Sequence, residues 1–236
     1  MTLSGTHILI VGGTKGIGRA TSAAALAAGA RVTVTGRSAE SLSHLPDGAT
    51  GALLDFTDAA SVAALAEGVT GLDHLVLSAS DAVAWGPFAE VTEAALRAAF
   101  DAKFWGYWRV VRALAPKLSA HGSVTLVTGA AARAALPGTS GLAAVNGALE
   151  AMAKVLAVEL APRRVNTVSP GMTATEAYAG LPAEARAGMF AATAAKLPAG
   201  RIGAPEDIAQ AILLAAANPF LTGATLDVDG GAHLAR

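Results

Sequence analysis

The chain has 236 residues, which suits one domain with a large buried core. With 53% apolar and only 15% charged residues, an intrinsically disordered chain is excluded. The formal net charge of −1 gives no electrostatic reason to expect nucleic acid or an anionic membrane as a partner. The absence of cysteine excludes disulfides and thiolate chemistry, and the scattered histidines lead us to predict no metal site.

The apolar segments give no clear targeting or membrane signal. The N-terminal apolar run is too short for a signal peptide and leads directly into a glycine-rich turn. The longest run without charge, residues 208–226, is interrupted by Gln210, Pro219 and Gly223 and would make a poor spanning helix. We therefore expect a cytoplasmic protein that does not bind membranes.

Short apolar runs rich in β-branched residues alternate with helical stretches rich in Ala and Leu. The predicted strands are residues 7–11, 31–35, 51–54, 74–78, 123–127, 164–168 and 224–228. The predicted helices are residues 17–28, 59–67, 92–120 (with candidate break points at Gly106 and Pro116), 140–161, 182–194 and 205–217.

This alternation predicts an α/β fold with a single parallel sheet. Continuous apolar strands flanked by helices indicate a sheet that is covered on both faces. Right-handed crossovers then favour a doubly wound, Rossmann-type sheet of about seven strands. No repeat, linker or charge block divides the chain, so we treat residues 1–236 as a single domain.

A glycine-rich loop, GGTKGIG at residues 12–18, connects the first predicted strand to the first helix. Glycine lets phosphate approach main-chain N–H groups, and the helix N-terminus adds unpaired donors and partial positive charge. We expect a dinucleotide to meet Gly12, Thr14, Lys15, Gly16, Ile17 and Gly18. The alternative is a tight strand-to-helix turn that binds nothing.

The end of the second predicted strand indicates which dinucleotide is bound. Arg37 and Ser38 follow this strand, where a fold selective for NAD places an acid to bind the ribose 2′-hydroxyl. An arginine suits the 2′-phosphate of NADP(H) instead, and Lys15 offers a second cation. The alternative is that both bases are solvated surface residues.

Several segments together resemble the short-chain dehydrogenase/reductase family over the whole chain. These segments are GGTKGIG at residues 12–18, LDFT at 54–57, RVNTVSPGMTAT at 164–175, GRIGAPEDI at 200–208 and LTGATLDVDGG at 221–231. The resemblance implies the doubly wound fold, a nicotinamide cofactor and a small-molecule substrate.

The resemblance also implies roles for individual residues around the cofactor. Asp55 and Phe56 would border the adenine, and Ser78, Ala79 and Ser80 would line the ribose side. Pro170, Gly171, Thr173 and Thr175 would hold the nicotinamide amide and the pyrophosphate. Residues 175–197 would form the segment that covers the substrate.

The chain departs from the family at its four catalytic positions. The usual Asn, Ser, Tyr and Lys fall on Lys103, Gly129, Leu142 and Asn146. Because leucine cannot exchange a proton, the usual tyrosine chemistry cannot be carried over.

Two of these departures are complementary. The family links its Asn and Lys through a water, and Lys103 and Asn146 are the same two residue types with their positions exchanged. We predict that Lys103 serves the reaction as an acid, directly or through water, while Asn146 bonds the ribose. The sequence DAKFWG around Lys103 also resembles an atypical bacterial subgroup that has Lys here and binds NADPH. The alternative is an ion-paired or solvated helix lysine.

Two further side chains are candidates for the catalytic site. Thr128 ends a predicted strand, and its hydroxyl could orient a carbonyl or simply cap the next turn. Tyr178 lies in the segment that would cover the substrate, and closure of that segment could bring it in as an acid.

Two functions remain open from the sequence. The first is an NADPH-dependent reductase of a carbonyl, imine or similar polarised double bond with a non-standard proton donor; an iminium would need little acid help. The second is an NADP(H)-binding sensor or partner protein without catalysis. A purely structural subunit fits less well, because the glycine loop and the nicotinamide-side segment are retained. The two long helices predict a homodimer or homotetramer.

Overall fold

The computed structural model describes residues 3–79 and 84–234. Its strands are β1 His7–Val11, β2 Arg31–Gly36, β3 Thr50–Leu53, β4 Leu72–Leu77, β5 Leu118–Val127, β6 Arg164–Pro170 and β7 Thr225–Val228. They form one parallel sheet in the order β3-β2-β1-β4-β5-β6-β7. The predicted seven-stranded parallel sheet is confirmed.

Helices connect the strands. They are α1 Gly16–Ala27, α2 Ala39–Leu42, α3 Ala59–Gly68, α4 Glu93–Ala99, α5 Gly106–Leu114, α6 Ser140–Glu159, α7 Ala183–Ala194 and α8 Pro205–Ala217, with a π-helical segment Phe100–Trp105 between α4 and α5. Short 3₁₀ turns occupy Ala115–Lys117, Ala130–Ala132 and Glu176–Tyr178.

The sheet is covered by helices on both faces. Alternate residues of a strand point to opposite faces, so Leu9 and Ile10 of β1 belong to different core clusters. The first cluster includes Leu149 of α6, and the second includes Ile208 of α8 together with side chains of α1. This two-faced core is what a doubly wound α/β fold requires.

The prediction of one helix over residues 92–120 is wrong. The helix changes type twice around Phe100–Trp105, and β5 already begins at Leu118. Pro116 cannot donate a backbone hydrogen bond, which fits the end of α5 in a 3₁₀ turn. Gly106 coincides with the end of the π-helical segment, and Lys103 lies within that segment. Segments of this kind are frequent at functional sites.

The strand order places the predicted site at one edge of the sheet. The order reverses between β1 and β4, and ligands of such folds bind outside the carboxyl ends of the strands at this point. The glycine loop follows β1, Ser78 follows β4, Thr128 follows β5 and Gly171 follows β6. The candidate residues of four neighbouring strands are thus collected at the same edge.

Within the described residues, one helix is long and apolar enough to cross a membrane by length and composition, namely α6. Leu149 and Ala153 on this helix belong to the core cluster on one face of the sheet. Core helices of globular proteins pass the same test, so α6 is weak evidence for a membrane span.

Candidate active site

Close backbone packing explains the glycines of the loop at residues 12–18. Gly12 has a φ of +81°, and a Cβ there would lie 2.6 Å from the Cα of Ala79. A Cβ on Gly18 would lie 2.1 Å from the carbonyl oxygen of Gly12. The loop, including Thr14 and Ile17, therefore holds the amino end of α1 close to the ends of β1 and β4. The first N–H groups of a helix have no partner within the helix, so the amino end of α1 is the part of this edge suited to an anion.

Cationic and polar side chains surround the ends of β2 and β3. Arg37 is exposed directly after β2, and Lys15 is exposed at the amino end of α1. Asp55 accepts hydrogen bonds from the backbone N–H and the hydroxyl of Thr57, at 2.9 and 2.6 Å. These bonds lower the pKa of the Asp55 carboxyl, and the nearby charge of Arg37 lowers it further. Ser38 accepts a bond from the backbone of α2 as its N-cap.

Phe56 has a packing role that the sequence analysis did not assign. Its side chain is buried, with its ring 6.4 Å from that of Tyr107 in an edge contact. A Cβ on Gly106 would lie 2.2 Å from the Phe56 ring, so this glycine lets the ring pack against α5. The Phe56 side chain is therefore part of the core, and its predicted place beside an adenine stays a prediction.

The segments after β4 and β6 are also held by backbone contacts. Ser78 donates its backbone N–H to the carbonyl of Val11 at 2.9 Å. A Cβ on Gly171 would lie 2.7 Å from the Cα of Asp229, and the Thr173 hydroxyl donates to the Gly171 carbonyl at 3.0 Å. Pro170 is the last residue of β6, and the Thr175 hydroxyl caps the following 3₁₀ turn. Ser80, predicted on the ribose side, lies outside the described residues.

Lys103 is a buried cation at the centre of the site. Its Nζ donates to Oδ1 of Asn146 at 2.7 Å and to the carbonyl oxygen of Thr128 at 3.1 Å. The side chain lies in the π-helical segment and is 8% exposed. Burial lowers the pKa of Lys103 to about 8. The two residues with exchanged positions thus contact each other directly rather than through a water.

The Lys103 contact orients the amide of Asn146. A lysine ammonium only donates, so Oδ1 must face it and Nδ2 must face the other way. A Cβ on Gly129 would lie 3.0 Å from Nδ2, so the missing side chain leaves space beside this N–H donor. Leu142 precedes Asn146 by one helical turn and lies on the same face of α6.

Thr128 contributes to this site through its carbonyl rather than its hydroxyl. The hydroxyl lies 3.2 Å from Oε1 of Glu150 and 3.3 Å from the carbonyl oxygen of Val168, its hydrogen-bond acceptors. Glu150 is buried and lies 3.6 Å from Arg133, which also pairs with Asp227 at 3.0 Å. Glu150 is not among the predicted site residues, although its position four residues after Asn146 places it on the same helix face.

Comparison with known proteins identifies the family. A family model described as enoyl-(acyl carrier protein) reductase matches residues 11–233. The short-chain dehydrogenase/reductase malC of Malbranchea aurantiaca is 32% identical, covering 97% of this chain and 95% of that protein. The chain belongs to the short-chain dehydrogenase/reductase family.

Other members of the short-chain dehydrogenase/reductase family are similar over their full length. L-xylulose reductase of Bos taurus is 32% identical, with 98% of each chain covered. A solved structure of a small-chain dehydrogenase in complex with NADPH is 39% identical, with a TM-score of 0.84 over 97% of this chain and 99% of that one.

Neither tyrosine of this short-chain dehydrogenase/reductase is hydrogen-bonded to Lys103 in the described part of the chain. The Tyr107 hydroxyl donates to the carbonyl of Ala79 at 2.7 Å, and full burial raises its pKa. Tyr178 contacts Phe190, with ring centroids 5.3 Å apart, and burial raises its pKa too. Tyr178 as an acid thus stays a prediction that depends on movement of its segment.

A carboxylate–histidine cluster lies at the end of β7 and in the turn that follows it. Potential ligand atoms of Asp227, Asp229 and His233 lie within 4.8 Å of one another. Asp229 accepts hydrogen bonds from the backbone of Gly231 and from both the backbone and Nδ1 of His233, all within 2.9 Å. Asp227 pairs with Arg133. The bonds to Asp229 hold this turn together, while the buried Oδ1 of Asp227 faces Arg133 without a well-directed hydrogen bond.

Proposed function

We propose that the chain is an NADPH-dependent oxidoreductase that reduces a carbonyl, with Lys103 in the role that the family gives to a tyrosine. The observation that carries this proposal is the buried Lys103–Asn146 hydrogen bond of 2.7 Å at the carboxyl edge of the sheet. The named relatives are reductases and dehydrogenases, which supports a redox reaction in general.

The cofactor proposal has independent supports. The close packing that Gly12 and Gly18 allow holds the amino end of α1 at the carboxyl edge of the sheet, where its first N–H groups would bind a pyrophosphate. Arg37, exposed directly after β2, would bind the 2′-phosphate, and exposed Lys15 on the glycine loop offers a second cation; the charge of Arg37 acts on the nearby Asp55 carboxyl. The similar protein solved in complex with NADPH supports the same choice.

The acid proposal rests on the hydrogen-bond capacity of Lys103. An ammonium has three N–H donors, and within the described residues two acceptors lie within hydrogen-bond distance of it. The third N–H is available for a water or a substrate oxygen. A pKa lowered to about 8 keeps the group protonated at neutral pH and makes it a stronger acid than an ordinary lysine.

The proposed reduction assigns a role to each group in the site. Bound NADPH would supply a hydride to the carbonyl carbon. The developing negative charge on the oxygen would be stabilised by the Lys103 ammonium and by the Asn146 Nδ2 group beside Gly129. Lys103 then gives its proton to the oxygen, which yields an alcohol, and regains a proton from water.

The charge of Lys103 favours a neutral carbonyl over a cationic iminium. An iminium needs no acid, which suited the loss of the tyrosine, but it would carry a positive charge next to a buried ammonium. Burial is the cause of the lowered Lys103 pKa, and none of the carboxylates in residues 3–79 and 84–234 contributes to it. Repulsion between two cations in a poorly solvated site would disfavour the iminium.

A catalytically silent NADP(H) sensor is the second candidate. The observation that favours it is Leu142, which lies one turn from Asn146 where the family has its tyrosine. Under this alternative the Lys103–Asn146 bond would only bind the ribose.

The first test combines binding and turnover. NADPH and NADH are titrated by quenching of tryptophan fluorescence, and consumption at 340 nm follows with diketones, quinones, aldehydes and cyclic imines. We expect NADPH to bind more tightly than NADH and to be consumed with a carbonyl. Tight binding without turnover would favour the sensor function. The absence of binding to either nucleotide would overturn the proposal that NADP(H) is the cofactor.

We further propose a single cofactor-binding domain with residues 175–197 over the substrate, a homo-oligomer in solution and a cytoplasmic location. The segment of residues 175–197 begins at Thr175, a few residues after the carboxyl end of β6. This position beside the candidate site supports its role as a cover. An apolar groove between α5 and α6 supports the homo-oligomer. The amino-acid composition supports the proposed cytoplasmic location.

A further inference from the structure

Glu176, at the start of the segment that would cover the substrate, contacts the glycine loop directly. Its Oε2 accepts a hydrogen bond of 2.9 Å from the backbone N–H of Gly16. Gly16 is the first residue of α1 and has a φ of +49°, and a Cβ on it would lie 3.2 Å from Cγ2 of Thr175. The chain thus places one of its own carboxylates on the cradle assigned above to the pyrophosphate.

The amino end of a helix has only a few unpaired N–H groups with which to bind anions. Its first N–H groups have no partner within the helix, and together with the helix dipole they carry about half a positive charge. Glu176 takes the N–H of Gly16, which leaves the neighbouring N–H groups of Ile17 and Gly18 for a phosphate. Two anions bound within one helical turn repel each other.

We propose that Glu176 competes with the cofactor pyrophosphate for the amino end of α1 and thereby sets the affinity for NADPH. The inference rests on the proposed function, because it needs a dinucleotide at the glycine loop. Glu176 would not bind the phosphate itself but would weaken cofactor binding. Cofactor binding would then also depend on the position of the segment of residues 175–197.

The surroundings offer the displaced carboxylate another partner. A cavity of about 540 Å³ beside the loop is lined by Gly16, Arg19, Glu176, Arg186 and Glu206. Two of these lining residues, Arg19 of α1 and Arg186 of α7, are cations on which a displaced Glu176 carboxylate would find a partner.

The test is Glu176→Gln, which keeps the shape and a hydrogen-bond acceptor for Gly16 but removes the charge. We expect the Kd for NADPH to fall about two- to fivefold at low ionic strength, as loss of one charge near a helix end implies. 2′-AMP carries the 2′-phosphate and adenine but no pyrophosphate, so its Kd should not change. A purely structural effect of the substitution would alter both ligands.

Glu206→Gln is the matched control, because it removes the same charge from the same cavity without touching the glycine loop. We expect its Kd for NADPH to equal that of the wild type. An unchanged or higher Kd in Glu176→Gln, an equal gain for 2′-AMP, or an equal gain in Glu206→Gln would overturn the inference. A wild-type protein that binds 2′-AMP and NADPH equally weakly would instead overturn the proposed function.

Discussion

Lys103 is the buried residue on which the proposed chemistry and its pH range depend. The ammonium lies within hydrogen-bond distance of two oxygen acceptors, and burial lowers its pKa to about 8. The sequence could pair Lys103 with Asn146 because their types are exchanged relative to the family. It could not predict that the Thr128 hydroxyl bonds Glu150, because the direction of a side chain at a strand end depends on tertiary packing.

The pH profile of turnover tests the role of Lys103 as an acid. A general acid works only while protonated, so kcat should be level below about pH 8 and fall about tenfold per pH unit above it. Lys103→Arg keeps the charge on a group with a much higher pKa, so its lower activity should not fall in this range. A profile that Lys103→Arg shares with the wild type would assign the pKa to another group.

Gly106 tests the packing between α5 and the segment after β3. Its φ is −60°, which any residue adopts, but a Cβ would lie 2.2 Å from the Phe56 ring. We expect Gly106→Ala to lower the free energy of unfolding by about 1–3 kcal/mol in urea titrations. Gly147 in α6 has open space around its Cβ position, so Gly147→Ala should have no effect or stabilise the protein by up to about 1 kcal/mol.

The elements differ in how well their sequences predict them. The strands are predictable because apolar β-branched runs between helical stretches have few alternatives in a parallel sheet. The π-helical segment Phe100–Trp105 is not predictable, because its composition is that of an ordinary α-helix. The four-residue helix α2 is too short for helical periodicity to indicate.

Strand β4 contains a buried histidine that makes stability depend on pH. His74 bonds the Ser123 hydroxyl at 2.9 Å, and burial lowers its pKa to about 4, with Arg164 adding to and Asp73 opposing the shift. The unfolded chain therefore takes up this proton first as the pH falls. The stabilisation is complete above about pH 6.5 and is lost progressively between pH 6.5 and 4.

Urea unfolding at pH 7 and pH 5 measures this effect. We expect the free energy of unfolding to be lower at pH 5 by about 2 kcal/mol, and His7 adds to the loss because burial lowers its pKa as well. His74→Asn should remove most of the difference, while His44→Gln on the exposed surface should retain it. An undiminished difference in His74→Asn would show that His74 is not its source.

At the scale of the whole molecule, an apolar groove between α5 and α6 predicts self-association. Its volume is about 550 Å³, and Trp108, Val111, Met152, Leu156 and Leu160 are among its lining residues. We expect light scattering after size exclusion to give a dimer or tetramer, and Leu156→Lys to give a monomer. Ala64→Lys, on an exposed position of α3, should leave the assembly intact. A monomeric wild type would contradict the oligomer.

The fold and the cofactor edge could be predicted because glycine spacing and strand order are properties of the chain itself. The catalytic site could be predicted only in part. Residue types pointed to the pair Lys103 and Asn146, which are in contact, whereas the core position of the Phe56 ring and the Glu150–Arg133–Asp227 contacts depend on how distant segments pack.

The measurement that tests the central claim most directly is NADPH consumption by Lys103→Met, with Lys154→Met on the exposed face of α6 as the control. We expect Lys103→Met to bind NADPH within a few-fold of the wild type and to lose at least about a hundredfold in kcat on the carbonyl that the wild type reduces, as removal of a general acid implies. Lys154→Met should keep both the NADPH affinity and the kcat of the wild type. Wild-type turnover in a folded Lys103→Met would show that another group protonates the substrate.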